Sequence, residues 1–228
     1  MEEQARLICG CLDAFCAISG QKVNLHKSRV TFSANTDDNV KSNISAVLGY
    51  TAVDDLGMYL GVPALSKRVT KATFQCIVDR VEKRLSGWRT KCLSLAGRVT
   101  LIKSTLTSIP AYVMQTCRLP RATCDELDRK VRRFLWAGTN LDRKPHLVAW
   151  ATVTKSLEEG GLGIRSMRSL NSAAMVKLGW RMMQEPEALW ARVLKYKYSK
   201  KGNGIHYLEP GRKPSNAWKG ICEMSKIL

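Results

Sequence analysis

Apolar residues recur at steps of three and four in several separate blocks of this chain. Across residues 2–18 they fall at Ala5, Ile8, Cys9, Leu12, Phe15 and Cys16, and Ser19-Gly20 supplies a stop, so the spacing predicts a helix. The segments Lys22-Val23-Asn24-Leu25 and Val30-Thr31-Phe32 mix β-branched residues with partial alternation and predict a strand or a hairpin edge. Asp37 or Asp38 can cap a short helix carrying Val40, Ile44, Val47 and Leu48, which stops at Gly49. The run from Leu56 to Pro63 reads as a short strand whose glycines permit a tight turn.

From residue 70 onward the helical period takes over. Phe74, Ile77, Val78, Val81, Leu85 and Trp88 form one continuous stripe, with Arg80, Lys83 and Arg84 off it on the exposed side. A second helix carries Leu95, Val99, Ile102 and Leu106, with Pro110 just beyond its end. A third is predicted from the capping box Thr123-x-x-Glu126 and runs through Leu127, Val131, Phe134 and Leu135. Its acids lie early (Asp125, Glu126, Asp128) and its bases late (Lys130, Arg132, Arg133), as the helix dipole favours. Residues 137–165 are rich in loop formers, with a turn at Gly160-Gly161-Leu162-Gly163. Helical stretches follow at 167–183 and 187–198, and a Lys-, Gly- and Pro-rich tail over 199–217 is expected to pack poorly. The fold class expected is α+β, mainly α.

Charge narrows the function classes. The 228 residues carry a formal net charge of +18. Residues 1–60 hold five Lys and Arg against seven Asp and Glu, whereas the remainder holds thirty-two against twelve. The positive excess therefore lies entirely downstream of position 60, and a polyanion such as nucleic acid is expected to bind there. No apolar run approaches the ~18 residues of a membrane span, so no membrane partner is expected. Eight cysteines sit within helical patterns, and the acidic start is unlike a secretory signal. Reduced thiols and an intracellular location, nuclear or cytoplasmic, are the expectation.

Candidate chemistry is sparse. Two-metal nucleotidyl transfer needs carboxylates that hold ions ~4 Å apart at a rigid strand end. Asp37-Asp38 is better read as a helix N-terminus, and Asp54-Asp55 follows no apolar strand. Neither the cysteines Cys9, Cys11, Cys16, Cys117 and Cys124 nor the scattered His26, His146 and His206 form a four-ligand set, so no metal site is expected. What remains is a basic surface interleaved with aromatics. Arg80, Lys83, Arg84, Arg89, Lys91, Arg98, Arg132 and Arg133 are the candidate phosphate contacts, with Trp88 and Trp136 assigned to the core.

Several landmarks in order carry a family resemblance. The segment Ser19-Gly20-Gln21-Lys22-Val23-Asn24-Leu25-His26-Lys27-Ser28 resembles the stretch after the catalytic Asp-Asp turn in reverse transcriptases of plant-type non-LTR (LINE-type) retrotransposons. Tyr59-Leu60-Gly61-Val62-Pro63 is similar to their primer grip. Gly87-Trp88, Leu93-Ser94-Leu95-Ala96-Gly97-Arg98, Ile109-Pro110 and Phe134-Leu135-Trp136 are similar to their thumb, and the run Glu158 to Arg165 belongs to the same pattern. The resemblance implies a C-terminal palm remnant at 1–66, a helical thumb at 67–140 and a helical connector at 141–228, stopping before any zinc-binding segment. It implies that the catalytic turn and its magnesium, with the rest of the palm and fingers, lie before Met1, so that this RNA-directed DNA polymerase fragment is inactive on its own. Lys27, or else Lys22, would sit near the incoming nucleotide, and Tyr59, Leu60 and Gly61 would support the primer end. The partners expected are RNA, an RNA–DNA duplex or DNA, together with the missing upstream palm and fingers. The alternatives are a helical protein-interaction module with a basic face, or a decayed element-derived reading frame without activity.

Overall fold

The computed structural model describes residues 2–65, 69–89, 93–137, 145–198 and 214–224, with the backbone alone described at positions 89, 137 and 224. The protein is mainly helical. It divides into two compact units, Met1–Lys67 and Arg68–Leu228.

In the first unit, α1 (Glu2–Ser19) opens with Glu2 and Glu3 and packs on α2 (Asp38–Leu48). Cys9 donates to the Val47 carbonyl (3.6 Å), and Asn43 donates to Glu2 (2.8 Å). The start of α2 is sealed by Asp37, whose carboxylate accepts from the Asn39 N–H at 2.8 Å. Its end is sealed by Gly49 at φ 69°, where a left-handed backbone suits glycine. Strand β1 (Arg29–Val30) lies parallel to β2 (Thr51–Ala52), with α2 as the crossover between them. The predicted strand at 22–25 is not formed. Asn24 instead folds back, its side chain and carbonyl accepting from the Lys27 N–H at 3.2 and 3.1 Å.

The run from Leu56 to Pro63 is a hairpin, β3 (Met58–Tyr59) antiparallel to β4 (Val62–Pro63). Leu60 and Gly61 form its two-residue turn with φ of 48° and 78°, the right-twisting geometry in which both central residues are left-handed.

Ala5 is the one buried residue among those described in this unit. A chain with so little apolar area withdrawn from water cannot offset the entropy of ordering itself. Residues 1–67 prepared alone are therefore expected to show no cooperative thermal transition by calorimetry. A sharp transition with matching calorimetric and van't Hoff enthalpies would contradict this.

The second unit has a substantial core. A 3-10 turn (Ala72–Phe74) leads into α3 (Gln75–Arg89), and Phe74, Ile77, Val78, Val81 and Leu85 are all buried against the helices Ser108–Met114 and Arg121–Ala137. Next come α4 (Leu95–Leu101), a π-helical turn (Ile102–Leu106) and α5 (Ser108–Met114). The helix expected to stop before Pro110 thus continues through it. Proline has no N–H to donate, and the wider turn just before it shifts the ladder, with the Thr107 N–H reaching the Ile102 carbonyl at 3.1 Å.

Helix α6 spans Arg121–Ala137, two residues ahead of the predicted capping box. The Pro120 carbonyl accepts from the Thr123 and Cys124 N–H groups (3.0 and 3.1 Å), so Pro120 sets the start and Thr123 is buried in the first turn. The acids of that turn have individual tasks. Asp125 forms a forked pair with Arg168 (2.5 and 2.6 Å), Glu126 meets Lys71 (2.7 Å), and Asp128 accepts from the Met167 N–H (3.1 Å) at the head of the helix Met167–Gln184.

A single helical turn, α7 (Trp150–Val153), precedes the glycine-rich loop. There the Gly161 N–H donates to the Ser156 carbonyl (2.8 Å) and the Gly163 N–H to that of Lys155 (2.9 Å). A Cβ on Gly161 would lie 2.3 Å from the Lys155 oxygen, which explains glycine at this position by close backbone approach.

Helices α8 (Met167–Gln184), α9 (Leu189–Tyr198) and α10 (Asn216–Met224) complete the unit. Of the tail expected to pack poorly, residues 199–213 lie outside the described positions, but Pro214 and Ser215 lead straight into α10, whose first turn holds Asn216 and Ala217. Ser215 caps that helix by accepting from the Trp218 N–H (3.3 Å), and Trp218 is fully buried. Between α5 and α6 the extended pair Arg118-Leu119 is held by two asparagines. Asn171 of α8 accepts from the Leu119 N–H (3.2 Å) and donates to its carbonyl (3.0 Å), and Asn216 of α10 does the same for Arg118 (2.6 and 2.9 Å). Among the described residues no helix is long and apolar enough to cross a membrane.

Candidate nucleic-acid interface

The basic positions of the second unit lie on a packed group of helices. Burial of the Phe74–Leu85 face of α3 leaves Arg80, Lys83 and Arg84 exposed within one turn of each other. On its flank α3 is tied to α6 by a Glu82–Lys130 ion pair (2.7 Å) and by Trp88 against Phe134, ring centres 5.8 Å apart. Both Trp88 and Trp136 are half-buried. Arg133 of α6 is exposed. Arg98 of α4 and Arg132 of α6 are half-buried, and buried guanidinium nitrogens of both (Nε and Nη1 of Arg98, Nε of Arg132) meet no acceptor among the described residues. Lys91 lies outside the described residues, as does the side chain of Arg89.

In the first unit, the hairpin turn presents Tyr59 and Leu60, each 72% exposed. A leucine at positive φ is disfavoured by about 1–2 kcal/mol, so this tip holds a strained backbone beneath two exposed apolar side chains. Lys22 and Lys27 are exposed in the segment after α1.

The acidic pairs have local structural roles. Asp38 pairs with Lys41 (2.7 Å) beside the Asp37 cap, and Asp55 accepts from the Gly57 N–H (2.9 Å). Among the described residues no three His, Cys, Asp or Glu side chains gather as a metal site would require. The Cys124 thiol is pushed up to about 12, first by burial and then by Asp128 and Asp125, so it is held as a neutral thiol.

The titration of Asp128 has a consequence for stability. Burial pushes its pKa up to about 6 from 3.8, while the Met167 N–H pulls it part of the way back. The folded protein then binds this proton more tightly than the unfolded chain does. Its contribution to stability is full below about pH 4 and is lost as the pH rises to about 6. Two pKa units correspond to about 3 kcal/mol at most, and less here because the carboxyl keeps some contact with water. Urea unfolding of wild type and Asp128→Asn from pH 4 to 7 should show the wild type falling relative to the variant across that window. Parallel curves would remove Asp128 as the cause.

Sequence reasoning located the α3 row, since a stripe of apolar residues fixes its own opposite face. It missed Asn171 and Asn216, whose partners lie 52 and 98 positions away along the chain. No family model matches the chain. It is 44% identical over 162 residues to an Arabidopsis thaliana protein named "Putative ribonuclease H protein At1g65750", a match covering 71% of this chain and 26% of that protein. It is 31% identical over 122 residues to the "Uncharacterized mitochondrial protein AtMg00310" of the same plant, a match covering 53% of this chain and 79% of the relative. The chain therefore spans about a quarter of the first relative and nearly four fifths of the second. With that identity and coverage, the chain belongs to the family of the Arabidopsis mitochondrial protein AtMg00310.

Proposed function

We propose that this chain is a retroelement-derived piece of an RNA-directed DNA polymerase that grips a primer–template duplex through backbone contacts. The observation that carries the reading is the exposed row Arg80, Lys83 and Arg84 on a helix whose other face is locked into the core. Cations that stand clear of the core can neutralise phosphates without repacking anything. The longer relative is named for ribonuclease H, an activity whose substrate, the RNA–DNA hybrid, is what reverse transcription produces. On this reading residues 67–140 act as a thumb, the Tyr59-Leu60-Gly61 turn supports the primer end, and Lys27 or Lys22 lies towards the nucleotide.

The test replaces Arg80, Lys83 and Arg84 together with Gln. Thermal stability should hardly change, since exposed helix positions usually matter by about 0.5 kcal/mol or less each. Affinity for a labelled RNA–DNA duplex should fall alike for unrelated sequences, and log affinity should depend less steeply on log salt, by about one unit per lost phosphate contact. Equal slopes for the two proteins in fluorescence anisotropy would take α3 out of the interface. A second reading, a protein-interaction module, is favoured by the outer face of α1, where Leu7 is 66% and Ile18 89% exposed. Unchanged slopes together with capture of a protein partner through α1 would support it instead.

A further inference from the structure

Helix α9 carries two apolar faces, and only one of them is used. Its inner face, Trp190, Ala191, Leu194 and Tyr198, packs into a cluster with Trp218 and Ile221. Its outer face repeats Leu189, Val193 and Tyr196 at steps of four and three, exposed to 75%, 54% and 96%. With ~3.6 residues per turn, Arg192 falls on one flank of this row and Lys197 on the other, and both are exposed. Helix α9 contains no carboxylate. Its outer face is thus a narrow apolar strip, ending in an open tyrosine ring and bordered by positive charge on both sides.

We propose that the outer face of α9 is a second nucleic-acid contact, one that takes the bases of a single strand. The Tyr196 ring stacks on an unpaired base, Leu189 and Val193 carry its neighbour, and Arg192 and Lys197 meet the phosphates. Open aromatic rings beside cations are how proteins hold single strands without reading sequence, because every base offers a π face. Charge complementarity selects a polyanion, as the chain carries +18 overall. A lipid surface fits less well. Three side chains bury less apolar surface than one acyl chain, which by itself gives only marginal membrane binding. The inference rests on the chain being a nucleic-acid binder but does not depend on α3.

The experiment uses the whole chain with a labelled single-stranded oligouridylate, a labelled RNA–DNA duplex and phosphatidylcholine–phosphatidylserine vesicles. Tyr196→Ala should weaken the single strand by about 5- to 100-fold, the span expected for one lost stack, with an unchanged salt slope and an unchanged melting temperature. Tyr196→Phe should bind like wild type. The pair Arg192→Gln and Lys197→Gln should make the slope shallower by about 0.7 per lost contact. Duplex binding should survive Tyr196→Ala, since paired bases are not available to stack. Wild-type affinity of Tyr196→Ala for the single strand would overturn the proposal, as would an equal loss on duplex. Vesicle binding that depends on Tyr196 while single-strand binding does not would overturn it in favour of a membrane. Single-strand loss in Tyr196→Ala alongside unchanged duplex slopes in the α3 variant would sustain this site while rejecting the α3 reading, and the reverse pattern would do the opposite.

Discussion

Replacing Trp218 with Ala should destabilise the second unit by about 3–5 kcal/mol, the usual range for an aromatic removed from a core. The indole is fully buried, stacks on Tyr198 with ring centres 5.2 Å apart, and lies among Met182, Ala191, Ile221 and Cys222. These neighbours come from three helices, α8, α9 and α10, so the void cannot close by a local shift of one of them. Close packing on the far side of α10 limits relaxation further, because a Cβ on Gly220 would already lie 2.5 Å from the Met175 sulfur. Trp218→Phe should recover part of the loss. The measurement is a urea midpoint at constant slope, and a midpoint within experimental scatter of wild type would show that α10 does not belong to the cooperative core.

Asn171→Ala should cost about 2–6 kcal/mol, comparable to the tryptophan, though it removes no large apolar group. The amide satisfies both backbone groups of Leu119 and also donates to the Cys124 sulfur at 3.7 Å. Removing it strands a donor and an acceptor in the interior, each at about 1–3 kcal/mol. Asn216→Ala removes the equivalent clamp on Arg118, where the groups are only partly buried and water can substitute, so its effect should be the smaller. If both variants unfold at the same urea concentration, burial is not what sets the difference. A second tie to α10 persists, since Arg118 also pairs with Glu223 near the other end of that helix.

Much of the local periodicity and several of the caps are legible in the amino-acid sequence. A helix at Glu2–Ser19, the Asp37 cap and Gly49 stop of α2, the buried and exposed faces of α3 and the helices α8 and α9 all follow from side-chain spacing and short-range hydrogen bonds. Such features depend on residues within one or two turns of each other, which is what a sequence displays directly. The errors fall where that range is exceeded or where two local signals compete. The Thr123 box suggested the start of α6, but the Pro120 carbonyl accepts from the Thr123 and Cys124 N–H groups and the helix begins at Arg121. Pro110 suggested a stop, but the π turn before it accommodates the missing N–H.

Tertiary structure alone decided that β1 pairs in parallel with β2, that two asparagines hold an extended linker, and that α10 buries a tryptophan after a basic tail. It also decided which apolar stripes are covered. Helix α1 and the outer face of α9 have the same periodicity as α3, yet Ile8, Phe15 and Tyr196 remain open to solvent while Val81 and Leu85 are sealed. Periodicity states that a face is apolar. Whether that face is buried depends on what packs against it from elsewhere in the chain, and that information is carried by three-dimensional contact rather than by spacing.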